Sequence, residues 1–268
     1  MDYNVLAIVL TRMDVGERDV LTTLFSFEYG RLQAIVRGTK KTVSSLRPAT
    51  QPLNEGQALI IERRGTDLLT EWMPVSSFPD LKTNFHRLCL AGYFLRCVNE
   101  LTSLFQPEPK LYVFLRNSLA ALQKTDSCAI MKLVFEWGLL DISGLLFDLN
   151  TCMDCGEPVS GAPRVALDIA QGGPVCARCL NGAQSEHIVF FSLDAMKLGK
   201  NIKEILTRIS GDVFLGEEQI TSFIHHLHTL NHDTGTSGSH AVQQLQNTVT
   251  RFMQYHLNEF IPAWHVRV

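Results

Sequence analysis

Thr151-Cys152-Met153-Asp154-Cys155-Gly156-Glu157-Pro158 and, further on, Gly172-Gly173-Pro174-Val175-Cys176-Ala177-Arg178-Cys179 hold two C-x2-C pairs with twenty residues between them. Each pair sits in a short turn that can aim two thiolates at one point, and two such turns complete a tetrahedron of sulfurs. The spacing predicts a ribbon-type structural zinc site with Cys152, Cys155, Cys176 and Cys179 as ligands. Gly156 and the Gly172-Gly173 pair supply the backbone freedom that turns of this kind require. Four thiolates fill every position of the tetrahedron and leave none for water or substrate, so the metal is expected to hold shape only. A zinc deaminase also uses C-x-x-C, but it needs Pro directly before the first Cys and an H-x-E upstream. Here Val175 intervenes and no H-x-E occurs. His187 is the alternative fourth ligand, in a Cys3His set.

Outward from this ribbon, 268 residues are enough to bury a real core and to divide into two or three units. With 46% hydrophobic residues, 19% charged residues and a net charge of -3, the composition is that of a globular chain, not a disordered one. The charge balance as a whole does not announce nucleic acid. Seven cysteines are an odd number, and Cys89, Cys97 and Cys128 fall on apolar helical patterns, which argues against a disulfide framework and for a reducing compartment. The apolar run Val5 to Leu10 is too short for a signal peptide and lacks a basic start, and no stretch is long enough to span a membrane. A soluble cytoplasmic protein is expected.

Residues 1–80 read as β structure. Tyr3 to Leu10, Val20 to Phe27, Arg31 to Arg37, Gln57 to Arg63 and Leu68 to Met73 are short runs separated by turn residues. Gly30 and Gly65 stand where two hairpins must turn. A five-stranded Greek-key barrel of the OB type fits this count and length. From Arg31 to Arg37 the alternation puts Arg31, Gln33, Ile35 and Arg37 on one face and Leu32, Ala34 and Val36 on the other.

Charge within this region is uneven. Residues 31–64 carry Arg31, Arg37, Lys40, Lys41, Arg47, Arg63 and Arg64 against only Glu55 and Glu62. Cations and hydroxyls in a polar loop are groups that contact phosphates without reading bases, so these seven residues are the candidate DNA contacts. A merely solvated charged loop reads from the same charge run. Phe25 and Phe27 share a face by their spacing and are read as core.

Beyond residue 80 the period becomes helical. Phe85, Leu88, Ala91, Leu95, Val98, Leu101 and Phe105 form one apolar stripe, with Pro107-Glu108-Pro109 as the stop. Leu111, Leu115, Ser118 or Leu119, and Leu122 continue a second helix, and Asp126 or Ser127 caps a third through Trp137. Leu193 to Ile209, Glu217 to Leu230 and Ala241 to Asn258 are three more. The expected fold is therefore α+β and multidomain: an OB-type barrel in 1–80, a helical domain in 81–150 and 185–268, and the zinc ribbon inserted at 151–184. His225, His226, His228 and His232 read as a solvated or helix-end group more readily than as a metal site. No G-x-S-x-G, P-loop or G-x-G-x-x-G is present, so nothing in the motifs points to ATP or NAD.

The order of parts, basic barrel, helices, four-cysteine ribbon and further helices, resembles the RecO family of bacterial recombination mediators. Val20 to Lys41, V-L-T-T-L-F-S-F-E-Y-G-R-L-Q-A-I-V-R-G-T-K-K, is similar to that family's opening hairpin and cationic loop. Phe135 to Gly156, F-E-W-G-L-L-D-I-S-G-L-L-F-D-L-N-T-C-M-D-C-G, is similar to the segment leading into its ribbon, which G-G-P-V-C-A-R-C then closes. The resemblance implies a non-enzymatic protein of DNA repair and homologous recombination in the RecFOR pathway. Such a protein binds single- and double-stranded DNA, anneals complementary strands, and with RecR helps to load RecA onto strands coated by single-strand binding protein. It implies a cytoplasmic, nucleoid-associated location. From the residues alone, a zinc-ribbon OB-fold transcription or RNA-binding factor stands as the alternative, and a metalloenzyme as a third reading.

Overall fold

Five strands with their apolar residues on one side make the first half of the chain a closed barrel. In the computed structural model these are β1 (Asp2–Val15), β2 (Asp19–Ser26), β3 (Gly30–Val36), β4 (Glu55–Ile61) and β5 (Asp67–Ser76), arranged β1-β2-β3-β5-β4 with β4 paired back to β1. All pairings are antiparallel except β3 with β5, the OB-type arrangement that the strand count predicts. The structure describes residues 2–39, 46–125, 127–145, 148–159, 164–180, 187–210, 218, 220–222, 224–225 and 236–257.

Val5, Ala7 and Val9 from β1, Leu24 from β2, Leu32, Ala34 and Val36 from β3, Ala58 and Ile60 from β4, and Leu69 and Trp72 from β5 fill the interior. Full burial of one such branched side chain stabilises by roughly 1.5–3 kcal/mol. A single 3-10 turn, Arg47–Thr50, closes one end: Ala49 enters the core and its carbonyl accepts a hydrogen bond from Thr22 Oγ1 at 3.1 Å. β1 runs five residues beyond the expected Leu10, because its ladder with β2 resumes after an irregularity between Val9 and Thr11 and continues to Val15. Those extra residues are solvated on both faces, so their burial pattern carries no strand signal.

Three helices belong to the same compact unit, Met1–Lys124: α1 (Pro79–Thr83), α2 (Phe85–Leu101) and α3 (Pro109–Lys124). Asn84 caps α2 by accepting the Arg87 N–H at 3.1 Å. α2 ends four residues before the expected Phe105. Thr102 turns extended, its hydroxyl bonds the Val98 carbonyl at 2.7 Å, and Leu104 pairs with Arg31 of β3. The expected buried stripe is also only half right: Ala91, Leu95 and Val98 are buried, whereas Phe85 is 75% exposed and Leu88 lies partly in solvent. A helical period identifies a face, but covering that face requires a neighbouring element along its full length, and the first turn of α2 stays largely in solvent.

A fully buried polar contact of this unit is made by Glu55. Its carboxylate is fully buried at the start of β4, and Oε1 accepts from Tyr112 Oη at 2.9 Å and Arg116 Nε at 2.8 Å, both on α3. Burial first, and then the Glu55 charge, push the Tyr112 phenol well above its ordinary range, so it remains a donor at all physiological pH.

In the second compact unit, Thr125–Val268, α4 (Cys128–Ile142) is buried on nearly all sides and packs with α6 (Leu193–Ser210) and α7 (Thr236–Leu257). Lys132 and Glu136 form an i,i+4 ion pair at 3.4 Å within that core. A small sheet of β6 (Arg164–Asp168), β7 (Gly173–Val175) and β8 (Ile188–Ser192), ordered β7-β6-β8, and the one-turn helix α5 (Ala177–Leu180) complete the described elements. Ser127 precedes α4 without a side-chain cap, and Asp126 lies outside the described residues. The expected helix Glu217 to Leu230 falls largely outside them too, as do His226, His228 and His232; His225 is exposed.

Replacing Tyr112 with Phe removes a charge-assisted donor from a carboxylate that stays buried. It should lower the unfolding free energy by roughly 1.5–3 kcal/mol. Urea denaturation checks this as a lower midpoint at unchanged slope.

Candidate metal centre and nucleic-acid interface

Cys152 begins a tight turn in which its N–H donates to the Glu157 carbonyl and its own carbonyl accepts from Gly156, both at 2.8 Å. Gly156 takes φ 73, which disfavours any residue with a Cβ, and Gly172 takes φ 80 at the turn between β6 and β7. That second turn is set by Asp168, whose Oδ1 accepts the N–H groups of Ala170 and Gln171 at 2.9 and 3.2 Å. β7 then delivers Cys176, and one turn of α5 brings round Cys179. Met153 N–H donates to the Pro174 carbonyl at 3.0 Å and so ties the two turns together.

The result is a single cluster in which the four Sγ atoms of Cys152, Cys155, Cys176 and Cys179 all lie within 4.8 Å of one another. Cys155 Sγ and Cys176 Sγ are 3.7 Å apart. A tetrahedral ion bound to sulfur at about 2.3 Å spaces its ligands by about 3.8 Å, so the donor set fits one metal ion. Among the described residues this is the one group of three or more metal-ligating side chains, and His187 is not part of it; its ring rests 4.8 Å from that of Tyr255.

The thiols are unequal. Burial pushes Cys152 up, but the backbone N–H groups of Cys176, Cys155 and Asp154 outweigh it and bring the thiol down to about 6; the Cys176 N–H lies 3.3 Å from its sulfur. Cys176 is lowered too, chiefly by the Cys179 N–H. Cys179 is pushed up to about 12, because it donates to Cys176 and Cys155 and so keeps a proton inside the cluster. A bound ion takes that proton's place. Arg178 adds a hydrogen bond to Cys155 and sits in the field of three of the sulfurs, which raises its own pKa and offsets the dianion that a divalent ion and four thiolates make.

Protons therefore compete for these ligands in a fixed order. Stabilisation from the depressed Cys152 thiol is complete above its ordinary value of 9.0 and is lost as pH falls through about 6. Metal binding lowers that point further. Protein loaded with cobalt(II) should show thiolate-to-cobalt absorbance that persists at neutral pH and disappears at or below about pH 6. Cys155→Ser should weaken retention of the ion at every pH.

The candidate phosphate contacts distribute themselves by topology. In the barrel, β1, β3 and β5 run one way and β2 and β4 the other. The β2–β3 and β4–β5 connections consequently share one rim, and the β1–β2 and β3–β4 connections share the opposite rim. Arg31, Arg63 and Arg64 belong to the first rim; Arg37 and Arg47 belong to the second. Arg31 and Arg37 lie on the outer face of β3 and its continuation, with Gln33 and Ile35 between them, as the alternation predicts. Six residues of strand separate them by about 20 Å. Arg37, Arg47, Arg63 and Arg64 are exposed, and none of the five arginines forms an ion pair among the described residues. Lys40 and Lys41 lie outside the described residues.

Two features of the first rim carry no short-range sequence signal. Tyr3 and Tyr29, far apart in sequence, bring their rings to 5.0 Å, with Tyr3 Oη donating to Asp67 Oδ2 at 2.7 Å. Phe105 N–H donates to the Arg31 carbonyl at 2.8 Å and straps the α2–α3 connection to the start of β3. Phe25 is fully buried, as its spacing predicts, but Phe27 is partly exposed.

Residues 1–78 match the family described as Recombination protein O N terminal, and residues 82–205 match Recombination protein O C terminal. DNA repair protein RecO of Anaeromyxobacter sp. (strain K) is 33% identical over 177 residues, which is 65% of this chain and 69% of that protein. DNA repair protein RecO of Pelotomaculum thermopropionicum is 29% identical over 204 residues, 76% of this chain and 75% of its own. That of Myxococcus xanthus is 30% identical over 174 residues, 65% and 70% respectively. With the two family regions matched in order across the barrel and the helices, and relatives aligned over most of their own length, the chain belongs to the RecO family of DNA repair proteins.

Proposed function

We propose that this chain is a non-enzymatic recombination mediator. It holds single- and double-stranded DNA by the phosphates and pairs complementary strands without nucleotide hydrolysis. Together with RecR it helps to load RecA onto strands coated by single-strand binding protein. The observation that carries this reading is the set of arginines on the outer face of β3 and on both rims, cationic and without ion-pair partners among the described residues. Lys40 and Lys41, between β3 and β4, extend the same series. Two strands repel each other, and a cationic surface lowers that barrier for both without choosing a sequence.

In this reading residues 1–80 form the DNA-binding module, the helices of 81–150 and 185–268 carry partner contacts, and the ribbon of 151–184 is a structural element. The four-sulfur cluster holds Zn2+, which supplies rigidity and no open coordination position. No helix among the described residues is long and apolar enough to cross a membrane, which accords with a place in the bacterial cytoplasm at the nucleoid.

Complementary strands coated with single-strand binding protein, intact or lacking its tail, are mixed and duplex formation is followed. Acceleration without nucleotide is the expected result; no acceleration in either arm rejects the mediator. Binding to single-stranded DNA should weaken with salt, and if about four phosphates are engaged the log–log slope is near roughly -3. Removal of each arginine or lysine that makes one of those contacts should flatten that slope by about 0.7.

A further inference from the structure

The arginines account for phosphate contacts, but the first rim of the barrel also displays rings that the fold leaves partly in solvent. Phe27 is 37% exposed, Tyr29 41% and Phe105 55%. Each is held by a backbone that is itself fixed. Ser26 Oγ accepts the Tyr29 N–H and donates to the Gly30 carbonyl, both at 3.0 Å, and Phe27 N–H donates to the Leu6 carbonyl at 3.0 Å. Gly30 takes φ 69, and a Cβ there would overlap the Gln106 carbonyl oxygen, so the strap carrying Phe105 lies directly against the turn carrying Tyr29. Phe105 holds φ 56 without being glycine, a conformation retained at a cost.

Behind the exposed rings stands a second layer. Tyr3 backs Tyr29 at 5.0 Å, and Tyr112 meets the Phe27 ring edge-on at 5.8 Å. The carboxylates nearby are engaged: Glu28 accepts the Leu6 N–H at 3.0 and 3.2 Å, and Asp67 accepts Tyr3 Oη and the Arg63 N–H. The cations nearby form no ion pair among the described residues. Arg63 and Arg64 are exposed on the β4–β5 connection, and Arg31 Nε is buried without a hydrogen-bond partner among the described residues.

Rings presented to solvent on a rigid turn, with guanidinium groups on the same rim that form no ion pair among the described residues, match the chemistry of an unpaired nucleotide: a flat base and an anionic backbone. We propose that Tyr29 and Phe105, with Phe27 beside them, form a stacking platform for the bases of single-stranded DNA at this rim. The arginines of the same rim hold the adjoining phosphates. The platform rests on the reading of the barrel as the DNA-binding module and adds to it a preference for strands whose bases are accessible. A protein partner covering the same rings would give no such preference.

The test measures binding of the full chain, across a salt series, to an oligothymidylate and to a strand of equal length and charge that lacks bases. The wild type should bind the oligothymidylate more tightly. Tyr29→Ala and Phe105→Ala should each weaken that binding by about tenfold, leave the base-free strand unaffected and leave the salt slope unchanged, while Tyr29→Phe retains full affinity. Equal wild-type affinity for the two strands overturns the platform and leaves the phosphate reading standing. Equal weakening on both strands by the alanine variants assigns the rings to structure and also overturns it. Wild-type protein that binds neither strand removes the DNA-binding reading itself.

Discussion

Three residues of parallel pairing, Ala34 to Val36 against Asp67 to Leu69, close the barrel. Without that ladder β3 and β5 would be two open edges with unpaired N–H and C=O groups, and the interior would open to water along a full side. Closure fixes which residues of β3 face out, and the antiparallel order of the rest fixes which connections share a rim. The positions of the arginines follow from these two constraints. They are spread over one outer face and two rims about 20 Å apart, a span that suits contact with successive phosphates along a strand more than capture of one small anion.

Glu55 serves the same closed form from outside. A fully buried carboxylate would be costly alone, but the Tyr112 hydroxyl and the Arg116 guanidinium reach it from α3 and make the outer surface of the barrel a seat for that helix. Phe25 near the end of β2 and Phe27 just past it lie two apart, and this helix meets both. Both rings meet Tyr112, Phe25 at 6.0 Å and Phe27 edge-on at 5.8 Å, but Phe25 is fully buried while Phe27 stays partly exposed.

What was legible in the sequence was local and periodic. The paired C-x2-C spacing located the four clustered cysteines, since short turns converge their own side chains and the structure only had to bring two turns together. Alternation from Arg31 to Arg37 gave the correct outward set. What was hidden depends on contacts between distant segments. Nothing near Tyr3 announces Tyr29, and nothing near Phe105 announces the Arg31 carbonyl that ends the helix before it. Phe85 and Leu88 keep the period of a buried face although they stay in solvent, largely or in part, because periodicity records which residues could be covered together and not whether they are.

The proposed stacking and annealing would place compatible demands on this surface. An aromatic ring takes the face of a base and leaves its hydrogen-bonding edge free, so a strand held by rings and phosphate contacts can still be read by its complement. The energies permit transfer as well. Base–aromatic stacking is worth roughly 1–3 kcal/mol per base, and a duplex step gains about 1.4 kcal/mol in stacking. The exchange from protein to duplex is thus nearly balanced at each base, and each phosphate contact released is weakened further by salt. A surface that gripped the bases by their edges would have to be broken before pairing began. On the proposed reading, rings at one rim and arginines spread over β3 and the two rims would let the complement displace the protein step by step, with no external source of free energy required.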